Sequence, residues 1–221
     1  MENANYQKEL LNQAGLEMMS LCISQLGKAT EAYLNNDADL AEEVIYTESH
    51  VNALDISIEK NCERYLALYT PVAKDLRFVM AILKINIDLE RIGDHAYGIS
   101  KYVVDDEDPT PAHLIEALQF EKMHATIQDM FDDIMDAFEN ENVKSARKVF
   151  KKDKILDAIN MEAFSIIETE IKKDIQVIGK ALQLSSIIKK YERVGDLIKN
   201  IAEEIIFYKK AELLKHKGKK K

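Results

Sequence analysis

The stretch "LERIGDHAYGI", Leu89 to Ile99, returns 102 positions later as "YERVGDLIKNI", Tyr191 to Ile201. Each copy holds Glu-Arg-x-Gly-Asp, two carboxylates four residues apart with a glycine just before the second. In an α-helix, residues i and i+4 share one face, one turn apart. Like charges so placed cost a helix about 0.2–0.5 kcal/mol. Glycine costs about 1 kcal/mol relative to alanine. A solvated helix face gains from neither choice. Both make sense if a neighbouring backbone or a ligand approaches Gly93 and Gly195 and something positive sits between the acids.

The residues around each pentad fix the helix and its orientation. Phe78, Ile82, Ile85, Leu89, Ile92, Ala96, Ile99 and Val103 fall on one stripe, as do Ile187, Tyr191, Val194, Ile198, Ile201, Ile205 and Tyr208. Such a 3.6-residue period marks the face that packs into a core. Glu90 and Asp94, and likewise Glu192 and Asp196, lie nearly opposite that stripe. On the same face upstream stand Leu76, Met80, Leu83 and Ile87, an apolar end expected to be covered.

Working outward, the chain divides into six long helical segments: 6–35, 38–69, 73–104, 112–139, 143–172 and 174–214. The punctuation is "NND", the proline of "TP" at 70–71, the Pro-bearing linker "DDEDPTP" at 105–111, and "NEN" at 140–142. The fifth and sixth segments are separated by "IKKDIQVIGK", with no proline to mark the break. Tyr33, Val44, Glu48 and Asn52 recur as Phe138, Val149, Asp153 and Asp157 at an offset of 105. The expected fold is therefore all-α: two tandem three-helix bundles related by an internal repeat, over 1–106 and 112–214. Residues 215–221 form a basic tail expected to be a solvated, disordered end.

A second acidic stripe lies on the preceding helix of each half. Glu48, Asn52, Asp55 and Glu59 follow i, i+4, i+7 and i+11, and Asp153, Asp157 and Asn160 copy the first three members before Phe164 ends the series. If the second and third helices of each half turn these stripes toward one another, several carboxylate and amide oxygens converge. Hard oxygen donors suit Mg, Mn, Ca or Fe, and also Zn. The metal-ligand candidates are Glu48, Asn52, Asp55, Glu90, Asp94, Asp153, Asp157, Glu192 and Asp196. The bland alternative is a solvated acidic face with lysine or arginine nearby.

Other chemistries find little support. The formal net charge is −9 and the sequence pI about 5.2, so a phosphate backbone would be repelled and nucleic-acid binding is not expected. The apolar run "FVMAIL" is far short of the ~20 residues that span a bilayer, and the N-terminus has no apolar signal core. Cys22 and Cys62 lie in helical stretches away from any zinc-site spacing and are expected as reduced, half-buried thiols of a cytoplasmic protein. "EKMH", Glu121 to His124, has the Glu-x-x-His spacing of di-iron bundles, but those need two such motifs. His95, next to Asp94, points away from the acids. There is no phosphate-binding glycine loop and no nucleophile elbow, and no catalytic residue is assigned. In "TPVAKDLRFVM", Asp75 is expected to cap a helix entrance with Arg77 pairing locally; alternatively the two form a partner-contact corner.

Taken together, the twofold three-helix repeat, "DLERIGDHAYGIS", "KYERVGDLIKNIAEEIIFY" and "YTPVAKDLRFVMAI" resemble the PhoU family of phosphate-uptake regulators, over about Leu10 to Tyr208. The resemblance implies a cytoplasmic, often dimeric protein linking the phosphate ABC transporter and its ATPase to a sensor histidine kinase. It also implies multinuclear iron or zinc clusters on Glu/Asp-x-x-x-Asp motifs, here Glu48–Asn52, Glu90–Asp94, Asp153–Asp157 and Glu192–Asp196. The first of these departs from the pattern by ending in asparagine. Gln176 stands where an arginine like Arg77 is expected in the second half. The implied function is non-enzymatic regulation of phosphate uptake and starvation signalling. The rivals are a metal-free helical scaffold and a metal-dependent phosphoesterase.

Overall fold

The computed structural model describes residues 2–106 and 108–212. Its elements are α1 (Glu2–Asn35), α2 (Ala38–Tyr69), α3 (Ala73–Asp105), a short α4 (Ala112–Ala117), α5 (Phe120–Glu139), α6 (Val143–Lys173) and α7 (Ile178–Lys210). A 3-10 turn, Ile175–Val177, precedes α7. Among the described residues there is no strand. Helices α1–α3 pack as one antiparallel bundle and α5–α7 as the other. The bundles meet where α3 lies along α7 and α1 touches α5, and one continuous apolar core runs through both.

Local chemistry sets the helix ends. Asp37 caps α2 by accepting from the Leu40 amide at 3.0 Å, and Asn142 caps α6 by accepting from Lys144. Thr70, just before Pro71, closes α2 in the left-handed region at φ 41°, its amide donating back to the Leu66 carbonyl. Asp174 ends α6, and its side chain accepts from the Gln176 amide. The break between the fifth and sixth segments is thus made by an aspartate turn rather than a proline.

Both core stripes are buried as their period requires, from Phe78 to Val103 on α3 and from Ile187 to Tyr208 on α7. The repeat-equivalent pairs Tyr33 and Phe138, and Val44 and Val149, are all core residues. Several expectations need correction. The fourth segment is not one helix: Gln119 adopts φ 51°, separating α4 from α5. Leu114, Leu118 and Phe120 on either side of the break are all buried, so the kink lets two misaligned apolar faces reach one core. The first helix begins four residues earlier than its apolar pattern suggests, and α7 ends at Lys210. The tail at 215–221 lies outside the described residues.

The thiols are not half-buried. Cys22 and Cys62 are both fully buried and free, and burial pushes the Cys62 thiol up to about 12. The apolar end of the α3 face is not covered either. Leu76, Met80 and Ile87 remain 41, 41 and 50% exposed, and of that row only Leu83 packs against the core.

Candidate functional site

Helices α2 and α3 turn their acidic stripes toward one another, as do α6 and α7. The glycines permit the approach. A Cβ on Gly93 would meet Val51 Cγ1 at 3.0 Å, and one on Gly195 would meet Leu156 Cδ1 at 2.3 Å. The close neighbours are side chains of the facing helix rather than its backbone. The same two contacts bring Glu48 Oε2 to 3.7 Å and Asp153 Oδ1 to 3.5 Å from those positions. The leading acid of α2 or α6 is thereby held over the pentad of its partner helix.

In the first half, Glu48 is half-buried and interacts with both Asn52 and Asp94. Burial raises its pKa, the charges of Asp94 and Glu90 raise it further, and a hydrogen bond from Asn52 opposes them. Glu90 is raised likewise, by burial and then by Asp94 and Asp55, with Arg91 only partly offsetting. Asp55 is tied to α3: the buried Asn86 donates to its carboxylate at 2.6 Å and to its carbonyl at 3.0 Å. Among the described residues, no lysine or arginine forms an ion pair with Glu48, Glu90 or Asp94. Here the acids repel one another, the condition that a bound cation relieves.

The second half is built differently. Lys199, one turn beyond Asp196, places its Nζ 2.6 Å from Asp153 Oδ2 and in a short ion pair with Asp196 Oδ1. Burial opposes the lysine charge, but the two carboxylate bonds outweigh it and raise its pKa. Asp153 is buried, and desolvation raises its pKa despite the lysine. Glu192 is raised by burial and by Asp196, Asp157 and Asp153.

A fit to metal can be judged from these groups. The donors are hard oxygens, and in the first half they gather unneutralised charge, which suits a cation. Among the described residues, however, no three histidine, cysteine or acidic side chains stand close enough to hold one ion as placed. Glu48, Glu90 and Asp94 would have to draw together around it.

The acid faces lead to a pH expectation for metal-free protein. Folded-state pKa values of Glu90 and Glu48 above those of the unfolded chain mean that ionisation costs folding free energy. Glu90→Gln should therefore raise the melting temperature at neutral pH. The gain should shrink as pH falls through the folded pKa and vanish below the ordinary glutamate value. Melts between pH 3.5 and 7.5 check it, and an unchanged or lowered neutral-pH midpoint contradicts it.

Other candidates resolve into structural roles. Asp75 does not cap α3; it binds Lys8 of α1 at 2.5 Å. Among the described residues Arg77 forms no ion pair, and its Nε is buried without a hydrogen-bond partner. His124 belongs to the junction of the halves, its Nδ1 3.1 Å from the Tyr191 hydroxyl and 3.2 Å from that of Thr30. His95 is largely buried, and desolvation together with Lys190 and Arg193 lowers it to about 4.

The family model described as "PhoU domain" matches the chain twice, over residues 16–103 and 120–205, one copy per bundle. The chain belongs to the PhoU family. The phosphate-specific transport system accessory protein PhoU homolog of Aquifex aeolicus is 33% identical over 91% of this chain and 90% of its own length. The accessory protein PhoU of Escherichia coli K12 is 32% identical over 97% of this chain and 88% of its own. The crystal structure of PhoU from Pseudomonas aeruginosa superposes with a TM-score of 0.88 at 29% identity, over 94% of this chain and 99% of that one. Among the described residues no helix is long and apolar enough to cross a membrane.

Proposed function

We propose that this PhoU-family chain is a cytoplasmic, non-enzymatic regulator of phosphate uptake and phosphate-starvation signalling. The observation that carries it is the double match of the family model, one copy on each bundle, together with relatives titled as accessory proteins of the phosphate-specific transport system. The partners are the ATPase of a phosphate ABC transporter and a sensor histidine kinase, with a second copy of the chain as dimer partner. Asp75 and Arg77, both partly exposed near the start of α3 beside the exposed Leu76 and Met80, offer the contact corner.

The carboxylates give this regulator a cation-dependent part. Glu48, Glu90 and Asp94 would hold the ion in the first half, with Asn52 and Asp55 beside them; Asp153, Asp157, Glu192 and Asp196 stand at the equivalent positions of the second, where Lys199 already bridges Asp153 and Asp196. Iron or zinc is the expected ion, with magnesium or manganese as alternatives. A bound cation supplies positive charge that offsets the repulsion between the acids. The chain's own residues do the rest. Gly93 lets α2 close onto α3, Val51 fills that contact, and Asn86 anchors Asp55. The competing reading, a metal-free helical adaptor, is favoured by Lys199, which already neutralises part of the second set.

The test is complementation. In a bacterium lacking its own PhoU, the chain is expected to restore phosphate-dependent repression of a starvation reporter and to co-purify with the transporter ATPase. Failure of both, with the protein expressed and helical, would count against the reading. Turnover of generic phosphoesters with manganese or iron would favour the phosphoesterase instead.

A further inference from the structure

The two acidic faces are equivalent by repeat and unequal in charge. Lys199 lies on the acidic face of α7, three residues after Asp196, and its ammonium bridges Asp196 to Asp153 across the α6–α7 contact. The repeat-equivalent residue of α3 is Tyr97, which is not a basic side chain. Among the described residues, no lysine or arginine forms an ion pair with the first-half acids Glu48, Glu90 and Asp94. The lysine sits between the acids of two facing helices, where the first half has no cationic side chain in an ion pair. Asp153, over Gly195 and buried, turns one oxygen to the glycine and the other to Nζ.

We propose that Lys199 is the resident cation of the second half: it clamps α6 to α7 permanently and excludes a divalent ion, so that cation uptake is confined to the α2–α3 face. This rests on the reading above that the repeated carboxylates are cation ligands. The chemical reason is direct. An ammonium presents three donors and a single localised charge, and here two of its donors meet aspartate oxygens. A divalent ion at the same carboxylates would face that charge at a few ångströms and would have to displace it. The two halves then have different duties. One acidic face is set by the sequence alone, and the other takes its shape from the supply of metal. The metal-responsive face includes α3, the helix that carries Asp75 and Arg77 near its start.

The test uses the full chain and manganese(II) alone, by equilibrium dialysis with elemental analysis of the protein compartment. The wild type should lose no manganese on Glu192→Gln with Asp196→Asn. Lys199→Met should gain manganese, and adding Glu192→Gln and Asp196→Asn to Lys199→Met should abolish that gain. Without metal, Lys199→Met should melt below wild type, and manganese should restore part of the difference. If Lys199→Met fails to give a cooperative helical melt, Lys199→Gln replaces it with the same expectations. Either of two results overturns the proposal: a wild type whose manganese falls with the second-half pair, or a Lys199 variant that gains none. Failure of the first-half reading is scored separately, as wild-type manganese insensitive to Glu90→Gln with Asp94→Asn.

Discussion

Tyr191→Ala should destabilise the chain by about 3–5 kcal/mol, the range for removing a large aromatic side chain from a core. At this chain length that lowers the melting temperature by on the order of 10 °C. Tyr191 is fully buried, and its ring packs edge-on to Phe120 at 5.0 Å and to His124 at 6.1 Å. Its hydroxyl meets Thr30 of α1 and Nδ1 of His124 of α5. One side chain of α7 thus ties together the first helix of each bundle. Truncation would leave a cavity at the seam and take one hydrogen-bond partner from each of Thr30 and His124. Tyr191→Phe keeps the ring and should cost about 0.5–1.5 kcal/mol, the ordinary net value of a hydrogen bond. Thermal and denaturant unfolding of the two variants separates packing from polarity. Equal losses would mean that the ring contributes little and that the hydroxyl alone carries the junction.

Gly195→Leu should be the next most damaging substitution, costing about 1–3 kcal/mol or more through overpacking. Even a methyl group there would sit 2.3 Å from Leu156 Cδ1, and Leu156 is fully buried with little room to turn. The variant must part α6 from α7, which also pulls Asp153 away from Lys199. Gly93→Ala gives the contrast. Its methyl would meet Val51 at 3.0 Å, a contact a few tenths of an ångström too close, while alanine regains about 1 kcal/mol of helix propensity. Gly93→Ala should therefore stay within about 1 kcal/mol of wild type. Denaturant midpoints check both, and a Gly195→Leu protein as stable as wild type would remove close helix approach as the reason for the glycine.

These glycines show how much the sequence disclosed. A residue that lowers helix propensity twice, at equivalent places between paired acids, had to be there for a tertiary reason, and the reason is contact with the facing helix. The core stripes of α3 and α7 were legible because a 3.6-residue period has one interpretation over thirty residues. The kink at Gln119 was not, since nothing in "EALQFEK" resembles a breaker and only the positions of Leu118 and Phe120 in the core require it. The exposure of Leu76, Met80 and Ile87 was hidden for a related reason. Periodicity says which residues share a face, not whether another element covers it.

Lys199 is the more instructive omission. Its spacing from Asp196 was in plain view, and the repeat aligns it with Tyr97. What one dimension could not show was its reach to Asp153 on the neighbouring helix. Asn86, which secures Asp55 from across the α2–α3 contact, escaped notice for the same cause. Pairings between helices depend on the rotation of each about its axis, and a stripe of acids fixes that only to within a residue or so.

The central claim is that the acidic face between α2 and α3 holds metal. Elemental analysis of the full chain, purified without chelator or a histidine tag, tests it most directly when wild type is set beside Glu90→Ala with Asp94→Ala. The account expects iron or zinc in the wild type and a clear fall in the double variant, with helical content unchanged. A metal-free wild type, or a double variant with the same metal per chain, would contradict it.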